Sequence, residues 1–147
     1  MTEHEIEILL IEDNPDDIEL TLHALQRHQL ANRVEVVRDG AEALEFLFCV
    51  GAYAHRRIDT PPKLVLLDLK LPKVNGLEVL RQLKADPRTR MIPITVLTSS
   101  REDHDINESY QLGVNSYIVK PVDFVQFADA VRQLELYWLV INQPPTR

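Results

Sequence analysis

The sequence predicts an α/β domain with a doubly wound sheet of five parallel strands and five helices. Strand-like and helix-like segments alternate along the 147 residues, which is the pattern of consecutive βα units. The segment Leu64–Leu67 is apolar without alternation, as expected of a strand buried on both faces. No internal repeat appears, so we expect one domain with a core at about residues 6–141, a short N-terminal tail and a Pro-containing C-terminal tail. The order of segments leaves the order of strands in the sheet open.

Each strand is predicted from a short apolar or β-branched run, and each is followed by a helical pattern. Asn14-Pro15 predicts the start of the first helix, with Asn as cap and Pro at the first helical position. The loop at residues 51–62 is longer than the usual connection of about 2–6 residues. The predicted strands are Ile6–Ile11, Val34–Val37, Leu64–Leu67, Ile92–Leu97 and Val114–Val119; the later helices cover about Ala41–Val50, the segment marked by Leu77, Leu80 and Leu83, a segment including Ile106–Leu112, and Phe124–Ile141.

Composition excludes several classes of function. The net charge of −7 argues against nucleic-acid binding, because phosphate contacts need clustered Lys and Arg. The densest basic patch, His55-Arg56-Arg57, is short and is interpreted as a solvated loop. No apolar run approaches the roughly 18 residues of a membrane helix, and the acidic N-terminus does not fit a signal peptide. The single cysteine, Cys49, is interpreted as a core residue and fits a reducing cytoplasm.

Polar side chains stand at the ends of four predicted strands. They are Glu12 and Asp13, Asp68, Thr98, and Lys120. Because the carboxyl ends of parallel strands lie along one edge of a sheet, we expect all of them to converge there. Alone, Asp68 would be interpreted as a turn residue and Thr98 as a helix cap. Together, these carboxylates, the hydroxyl and the ammonium suit a site that holds a divalent cation and a phosphoryl group against one aspartate.

The chemistry of the predicted ligands selects the metal. Two or three carboxylates at close range repel one another, which a site tolerates best when a cation is bound. Oxygen ligands without His or Cys favour Mg²⁺, or Mn²⁺, over zinc. Lys120 directly follows a predicted buried strand and precedes a proline, so it is well placed to pair with Asp68 and to neutralise phosphoryl charge.

The ordered set Glu12-Asp13, Asp68, Thr98 and Lys120-Pro121 resembles the receiver domain of two-component response regulators. The intervals between these positions are typical of that family, and the resemblance extends from about Ile6 to Ile141. It implies the flavodoxin-like receiver fold. It also implies a signalling protein, not an enzyme with a separate substrate, that promotes its own phosphorylation and dephosphorylation.

The resemblance implies a role for each acidic position. Asp68 resembles the aspartate that accepts the phosphoryl group. Asp13 resembles the direct metal ligand beside it, and Glu12 stands where many receivers have Asp, so its contact with the metal is expected to run through water. Lys70 matches the position whose backbone carbonyl binds the metal. Asn75-Gly76 resembles the turn that opens the third helix.

The resemblance also implies how the site signals. Thr98 and Lys120 resemble the hydroxyl and lysine that stabilise the phosphoryl group. Tyr117 resembles the aromatic switch residue, with a tyrosine simply packed in its strand as the alternative. Lys70 and Ser100 occupy the two positions expected to tune dephosphorylation. The expected donor is a phosphohistidine of a sensor histidine kinase, and the output is expected to be interaction with other proteins, because only a short tail follows the receiver.

Three segments indicate a subfamily. The sequence Asn-Pro-Asp-Asp after the acidic pair, the long loop at residues 51–62, and Tyr137-Trp138-Leu139 with terminal prolines look like the short regulators that serve phytochrome-type histidine kinases in cyanobacteria and other bacteria.

Three other classes of protein fit the sequence less well than a receiver. A phosphatase or phosphotransferase of the haloacid dehalogenase type also uses a strand-end Asp, but its nucleophile is normally followed two residues later by a second Asp, and that residue here is Lys70. A cofactor-binding module would need a glycine-rich loop after the first strand, and none is present. A scaffold that resembles a receiver without being phosphorylated is disfavoured by the complete site; binding of a phosphoryl analogue would discriminate.

The end of the fifth helix predicts a homodimer built on that helix and on the strand and helix before it. Phe124, Phe127, Ala128, Val131, Leu134 and Trp138 form one stripe that can face the domain's own sheet. Beyond this stripe the last turns are apolar all round, so part of them must be covered by another element or a second subunit. A longer helix folded back on its own domain is the alternative. The candidate interface residues are Leu136, Tyr137, Trp138, Leu139, Val140 and Ile141.

Overall fold

A computed structural model of the protein describes residues 6–27 and 33–145. Within these ranges, five strands form one parallel sheet and alternate with five α-helices, which confirms the predicted fold class. Residues 1–5 of the predicted N-terminal tail, and residues 146 and 147 of the C-terminal tail, lie outside the described residues. The elements are β1 (Ile8–Ile11), α1 (Pro15–Arg27), β2 (Val34–Val37), α2 (Gly40–Phe48), β3 (Leu64–Leu67), α3 (Gly76–Ala85), β4 (Ile94–Thr98), α4 (Asp103–Gln111), β5 (Ser116–Val119) and α5 (Phe124–Leu136).

The sheet order is β2-β1-β3-β4-β5, and every neighbouring pair is parallel. This order places β1 beside β3, the central strand. The register pairs Ile11 with Leu67, the last residues of the two strands. The chain segments that follow, starting at Glu12 and Asp68, therefore begin side by side at the carboxyl edge of the sheet.

Helices cover both faces of the sheet. Successive side chains of a strand point to opposite faces. Leu9 and Val65 pack in one apolar cluster with residues of α2 and α3, whereas Ile8 and Leu64 pack in the other with residues of α1 and α5. All four side chains are fully buried. Burial on both faces explains the unbroken apolar runs in β1 and β3 and leaves the strand ends as the place for polar groups.

Two helices begin as the sequence predicts. The Asn14 side chain accepts hydrogen bonds from the backbone N–H groups of Asp16 (2.9 Å) and Asp17 (3.1 Å), with Pro15 as the first residue of α1. The Asn75 side chain caps α3 in the same way. Both caps satisfy N–H groups that have no partner within the helix. None of the helices in the described residues is long and apolar enough to cross a membrane.

The connection after α2 differs from the prediction. The helix ends at Phe48, and Cys49 adopts a left-handed conformation with φ of 58°. Arg56 stacks on the Phe46 ring, 3.7 Å from its centroid, and donates to the Phe46 carbonyl. Arg56 is therefore half-buried, whereas its neighbours His55 and Arg57 are exposed, as predicted for a solvated loop. Cys49 is half-buried beside it and does not lie in the core, because the helix has already ended at that point.

The fifth helix is shorter than predicted and ends at Leu136, where a π-helical turn over Tyr137–Ile141 follows. The predicted inward stripe holds except at its first position: Phe124 is 47% exposed. Phe124 opens the helix next to Val125, which is 70% exposed, so the first turn lies beyond the packed part of α5. The remaining stripe residues are buried or half-buried: Phe127, Ala128, Val131, Leu134 and Trp138.

Gly76 allows α3 to approach the end of β3 closely. Its N–H donates to the Leu69 carbonyl (2.8 Å), and an added Cβ would lie 2.5 Å from the Asp68 carbonyl oxygen. We expect Gly76→Ala to lower the free energy of unfolding by about 2 kcal/mol, because backbone atoms would have to shift. Chemical denaturation measures the loss, with Gln82→Ala on the exposed face of α3 as the control. An equal, small effect of both substitutions would contradict this close approach.

Candidate functional site

The predicted polar side chains meet at the carboxyl edge of the sheet. Glu12 and Asp13 follow β1, Asp68 follows β3, and Lys120 follows β5. Thr98 is the last residue of β4 and not the first after it, because β4 runs from Ile94 to Thr98. Glu12, Asp68 and Thr98 are buried, whereas Asp13 is exposed.

Both oxygens of the Asp68 carboxylate are held by donors. Oδ1 accepts hydrogen bonds from the Thr98 hydroxyl (2.8 Å) and from the backbone N–H of Lys70 (3.2 Å). Oδ2 accepts a hydrogen bond from the Lys120 ammonium (2.9 Å). Burial by itself would raise the pKa of Asp68. The charge and hydrogen bond of Lys120, with the Thr98 hydroxyl, outweigh burial and lower the pKa below its ordinary value. Asp68 is therefore a carboxylate at neutral pH.

Lys120 is surrounded by three carboxylates. Its ammonium donates to Glu12 (2.7 Å), Asp17 (2.7 Å) and Asp68 (2.9 Å). Burial would lower the pKa of Lys120, but the hydrogen bonds with Asp17 and Glu12 and the Asp68 charge raise it. Asp17 was not among the predicted site residues, since the sequence placed it only in the first turn of a helix. The only signal for Asp17 in the sequence was its position, about one helical turn after the acidic pair.

Glu12 is the most buried acid of the site, with 3% of its surface exposed. It accepts a hydrogen bond from the Lys120 ammonium and, through Oε2, another from the backbone N–H of Asn14 (3.2 Å). Burial, supported by the nearby charge of Asp68, raises the pKa of Glu12 to about 7 in spite of Lys120. The raised pKa of Glu12 thus makes the negative charge of these acids near neutral pH smaller than their number suggests.

Glu12, Asp13 and Asp68 can together hold a metal ion. Each offers a carboxylate oxygen, and these oxygens lie within 4.8 Å of one another. Asp13 also lines an open cleft of about 400 Å³ with Lys70, Asn75 and other residues. An all-oxygen set fits the hard cations Mg²⁺ and Mn²⁺ and does not fit zinc, which prefers His and Cys. The donors present therefore agree with the predicted cation.

The carboxyl edge of the sheet is connected to the loop after β4. The backbone N–H of Ser100 lies 3.5 Å from the Thr98 hydroxyl, and the Ser100 carbonyl accepts the Tyr117 hydroxyl (3.0 Å). Ser100 is 4% exposed, and its own hydroxyl donates to Asp105 (2.5 Å). A movement of Thr98 can therefore reach Tyr117 through this loop. Asp105 was missed by sequence reasoning because no motif marks it.

Fold and site together define a signalling domain built around one buried, ionised aspartate. Residues 8–132 match the response regulator receiver domain, and the chain belongs to this family. It is therefore a response regulator with a histidine kinase as partner, as predicted. Receiver domains bind Mg²⁺ or Mn²⁺ at an acidic pocket, and the carboxylates at the strand ends supply that pocket here.

Two relatives are similar over most of their length. The chain is 41% identical over 138 residues to the probable methanogenesis regulatory protein FilR2 of Methanothrix harundinacea, covering 94% of this chain and 86% of the relative. It is 37% identical over 132 residues to the response regulator Rcp1 of Synechocystis, covering 90% and 88%. The Mn²⁺-bound form of Rcp1 superposes with a TM-score of 0.88 at 35% identity, covering 97% of this chain and 99% of Rcp1.

Two further solved structures are phytochrome response regulators. The phosphorylated cyanobacterial regulator RcpA is 41% identical with a TM-score of 0.89, covering 97% of this chain and 99% of RcpA. The bacteriophytochrome response regulator AtBRR is 54% identical with a TM-score of 0.73, covering 95% of this chain and 99% of AtBRR. The likeness thus extends over nearly the whole of each chain.

Proposed function

We propose that the protein is a single-domain response regulator, with residues 6–141 as one receiver unit, whose Asp68 accepts a phosphoryl group from a phytochrome-type histidine kinase in the cytoplasm. The observation that carries the proposal is the Asp68 carboxylate: it is buried, it is ionised, and donors from three other positions fix both of its oxygens. Phosphoryl transfer needs mainly positioning and neutralised charge, and this arrangement provides both.

Asp68 acts as the nucleophile in this proposal. Lys120 and the Thr98 hydroxyl hold the carboxylate in one orientation and keep it deprotonated. Asp13, Asp68 and the Lys70 carbonyl would hold Mg²⁺, with Glu12 acting through water. The bound ion would supply positive charge that offsets the repulsion between carboxylate and phosphoryl oxygens. Asp13 is exposed at the cleft and so is accessible to a metal from solvent.

The same residues carry the signal after transfer. The phosphoryl group adds negative charge that attracts Thr98 and Lys120. When Thr98 moves, the loop at Ser100 moves with it, Tyr117 loses the carbonyl that accepts its hydroxyl, and its ring turns inward. Dephosphorylation by the protein's own site resets the switch, with Lys70 and Ser100 tuning its rate. The output is interaction with other proteins.

The phytochrome partner rests on two kinds of support. RcpA and AtBRR are described as phytochrome and bacteriophytochrome response regulators, and each aligns with this chain almost end to end. The long loop at residues 51–62 and the Tyr137-Trp138-Leu139 segment are the sequence features that look like this subfamily. FilR2, described as a probable methanogenesis regulator, is the reason to test a kinase of another class beside phytochromes.

Phosphotransfer from purified kinases tests the proposal. We expect a phosphorylated phytochrome-type kinase to label the protein at least about tenfold faster than a histidine kinase without a phytochrome module, because specificity is a difference in binding free energy. Faster labelling by the second kinase would refute the phytochrome partner. No labelling by any kinase or by acetyl phosphate would refute the function of Asp68 itself.

A homodimer through the C-terminal turn is the second part of the proposal. Leu136, Tyr137, Val140 and Ile141 are 38%, 47%, 59% and 63% exposed, which leaves an apolar surface on the last turns. This surface adjoins a cavity of about 490 Å³ beside the edge strand β5, with Tyr137 in its lining. Trp138 and Leu139, also predicted as interface residues, are half-buried and pack against the protein's own core. A second copy that covers the exposed residues would remove them from water.

A point substitution tests the dimer better than truncation, since truncation would also remove Trp138 and Leu139 from the core. We expect Val140→Asp to raise the dimer dissociation constant at least about tenfold, because an aspartate buried at an interface loses its hydration. Val50→Asp, at a similarly exposed valine (51%), is the control and should leave association unchanged. Sedimentation at micromolar concentration measures both. A monomeric wild type would contradict the proposal.

A further inference from the structure

Lys120 has one anchor outside the residues that can hold a metal. Its ammonium has three N–H bonds, and they point to Glu12, Asp17 and Asp68. Glu12 and Asp68 belong to the carboxylate group suited to a cation, whereas Asp17 stands in the first turn of α1. Each N–H of the buried ammonium therefore has an acceptor. Of the three acceptors, only Asp17 lies outside the carboxylate group that can hold the metal.

We propose that Asp17 is a positioning residue that keeps Lys120 at the site when Asp68 gives up its share of the ammonium. This inference rests on the proposed function of Asp68. In the transfer, a bond forms between an Asp68 oxygen and phosphorus, while the bond from phosphorus to the donor breaks and its electron pair leaves with the donor. Asp68 then has no carboxylate charge. The Lys120 N–H that donated to Asp68 becomes available to a phosphoryl oxygen.

Asp17 is fixed well enough to act as an anchor. Its backbone N–H donates to the Asn14 side chain (3.1 Å), and its carbonyl accepts the Thr21 hydroxyl (2.7 Å). Its side chain is 25% exposed and contacts a lysine that is 9% exposed. The contact is thus largely shielded from solvent, where a charge-assisted hydrogen bond is stronger than at the surface.

The geometry assigns different tasks to the two remaining anchors. Glu12 accepts a hydrogen bond from Lys120 and also belongs to the carboxylate group suited to a cation, so a bound cation would compete with Lys120 for it. Asp17 holds Lys120 whichever partner Glu12 takes. Without Asp17, the ammonium would depend on the two carboxylates that the metal and the phosphoryl group also use, and it would be poorly placed to stabilise the transferred group.

Labelling of Asp68 by acetyl phosphate at saturating Mg²⁺ measures the effect. We expect Asp17→Asn to slow labelling about tenfold, the loss expected for one charge-assisted hydrogen bond. Asp16→Asn removes the same charge from the next, exposed residue of the same turn and should stay within about twofold of wild type. Asp17→Glu, which keeps the carboxylate, should recover most of the rate. Thermal denaturation of each variant establishes that it is folded.

A second measurement uses neither metal nor phosphoryl donor. In the ¹⁵N NMR spectrum of the metal-free protein, Asp17→Asn should shift or broaden the Lys120 ammonium signal, and Asp16→Asn should leave it in place. Equal rates and equal spectra for the two variants would overturn the role of Asp17 alone. An unlabelled wild type would overturn the proposed function instead, and the ammonium signal would still decide whether Asp17 anchors Lys120.

Discussion

Asp68→Asn is expected to abolish phosphorylation by a phosphorylated kinase and by acetyl phosphate, with the fold retained. The amide has the shape of the carboxylate, and its oxygen can still accept the Thr98 hydroxyl, at 2.8 Å in the wild type. It has no anionic oxygen to attack phosphorus, so the nucleophile is lost. Removal of a nucleophile commonly lowers a rate by a factor on the order of 10⁶, and we therefore expect no detectable labelling.

The substitution removes the ion pair of Asp68 with Lys120 (2.9 Å). The ammonium keeps two other carboxylates as partners, Glu12 and Asp17, so we expect the fold to be retained. Asp68 is one of the causes that raise the pKa of Glu12 to about 7, so that pKa should fall in the variant. Asp103→Asn, an exposed aspartate in the first turn of α4, is the matched control and should be labelled like the wild type. Mass spectrometry locates the label. Strong residual labelling of the variant at another residue would refute the assignment to Asp68.

The convergence of the site could be predicted from the sequence because a general rule of parallel sheets decides it. Strand ends lie along one edge whatever the order of the strands, so Asp68, Thr98 and Lys120 had to lie on that edge. Their contacts also depend on the strand order, which puts β1 and β4 on either side of β3 and could not be obtained from the sequence. The cap at Asn14 was also predictable, since capping depends only on neighbours in the chain.

Contacts that depend on how helices sit on the sheet were beyond sequence reasoning. Asp17 lies in α1, and Lys120 lies between β5 and α5. Asp17 reaches Lys120 because α1 and α5 pack on the same face of the sheet. Periodicity likewise predicted an uninterrupted α-helix through Ile141, whereas the α-helix ends at Leu136 and a π-helical turn covers Tyr137–Ile141. Periodicity assumes a constant rise and rotation per residue, so a change of helix type is invisible to it.

Asp13→Ala is expected to weaken Mg²⁺ binding about 100-fold, because even residues that only support a ligand contribute about 10–100-fold to metal affinity. Asp13 is the exposed member of the carboxylate group and lines the open cleft. The substitution should slow labelling by acetyl phosphate in proportion at Mg²⁺ concentrations below saturation, and high Mg²⁺ should restore part of the rate. Isothermal titration calorimetry measures the affinity directly.

Glu12→Ala should reduce Mg²⁺ affinity less than Asp13→Ala. In the metal-free protein, Glu12 is already engaged with Lys120 at 2.7 Å and with the backbone N–H of Asn14 at 3.2 Å, so it must give up these contacts to serve a metal. The comparison therefore separates the direct ligand from the residue proposed to act through water. A larger loss for Glu12→Ala would reverse the two roles. Equal labelling rates with and without a chelator would refute the metal requirement altogether, since Lys120 would then suffice to offset the phosphoryl charge.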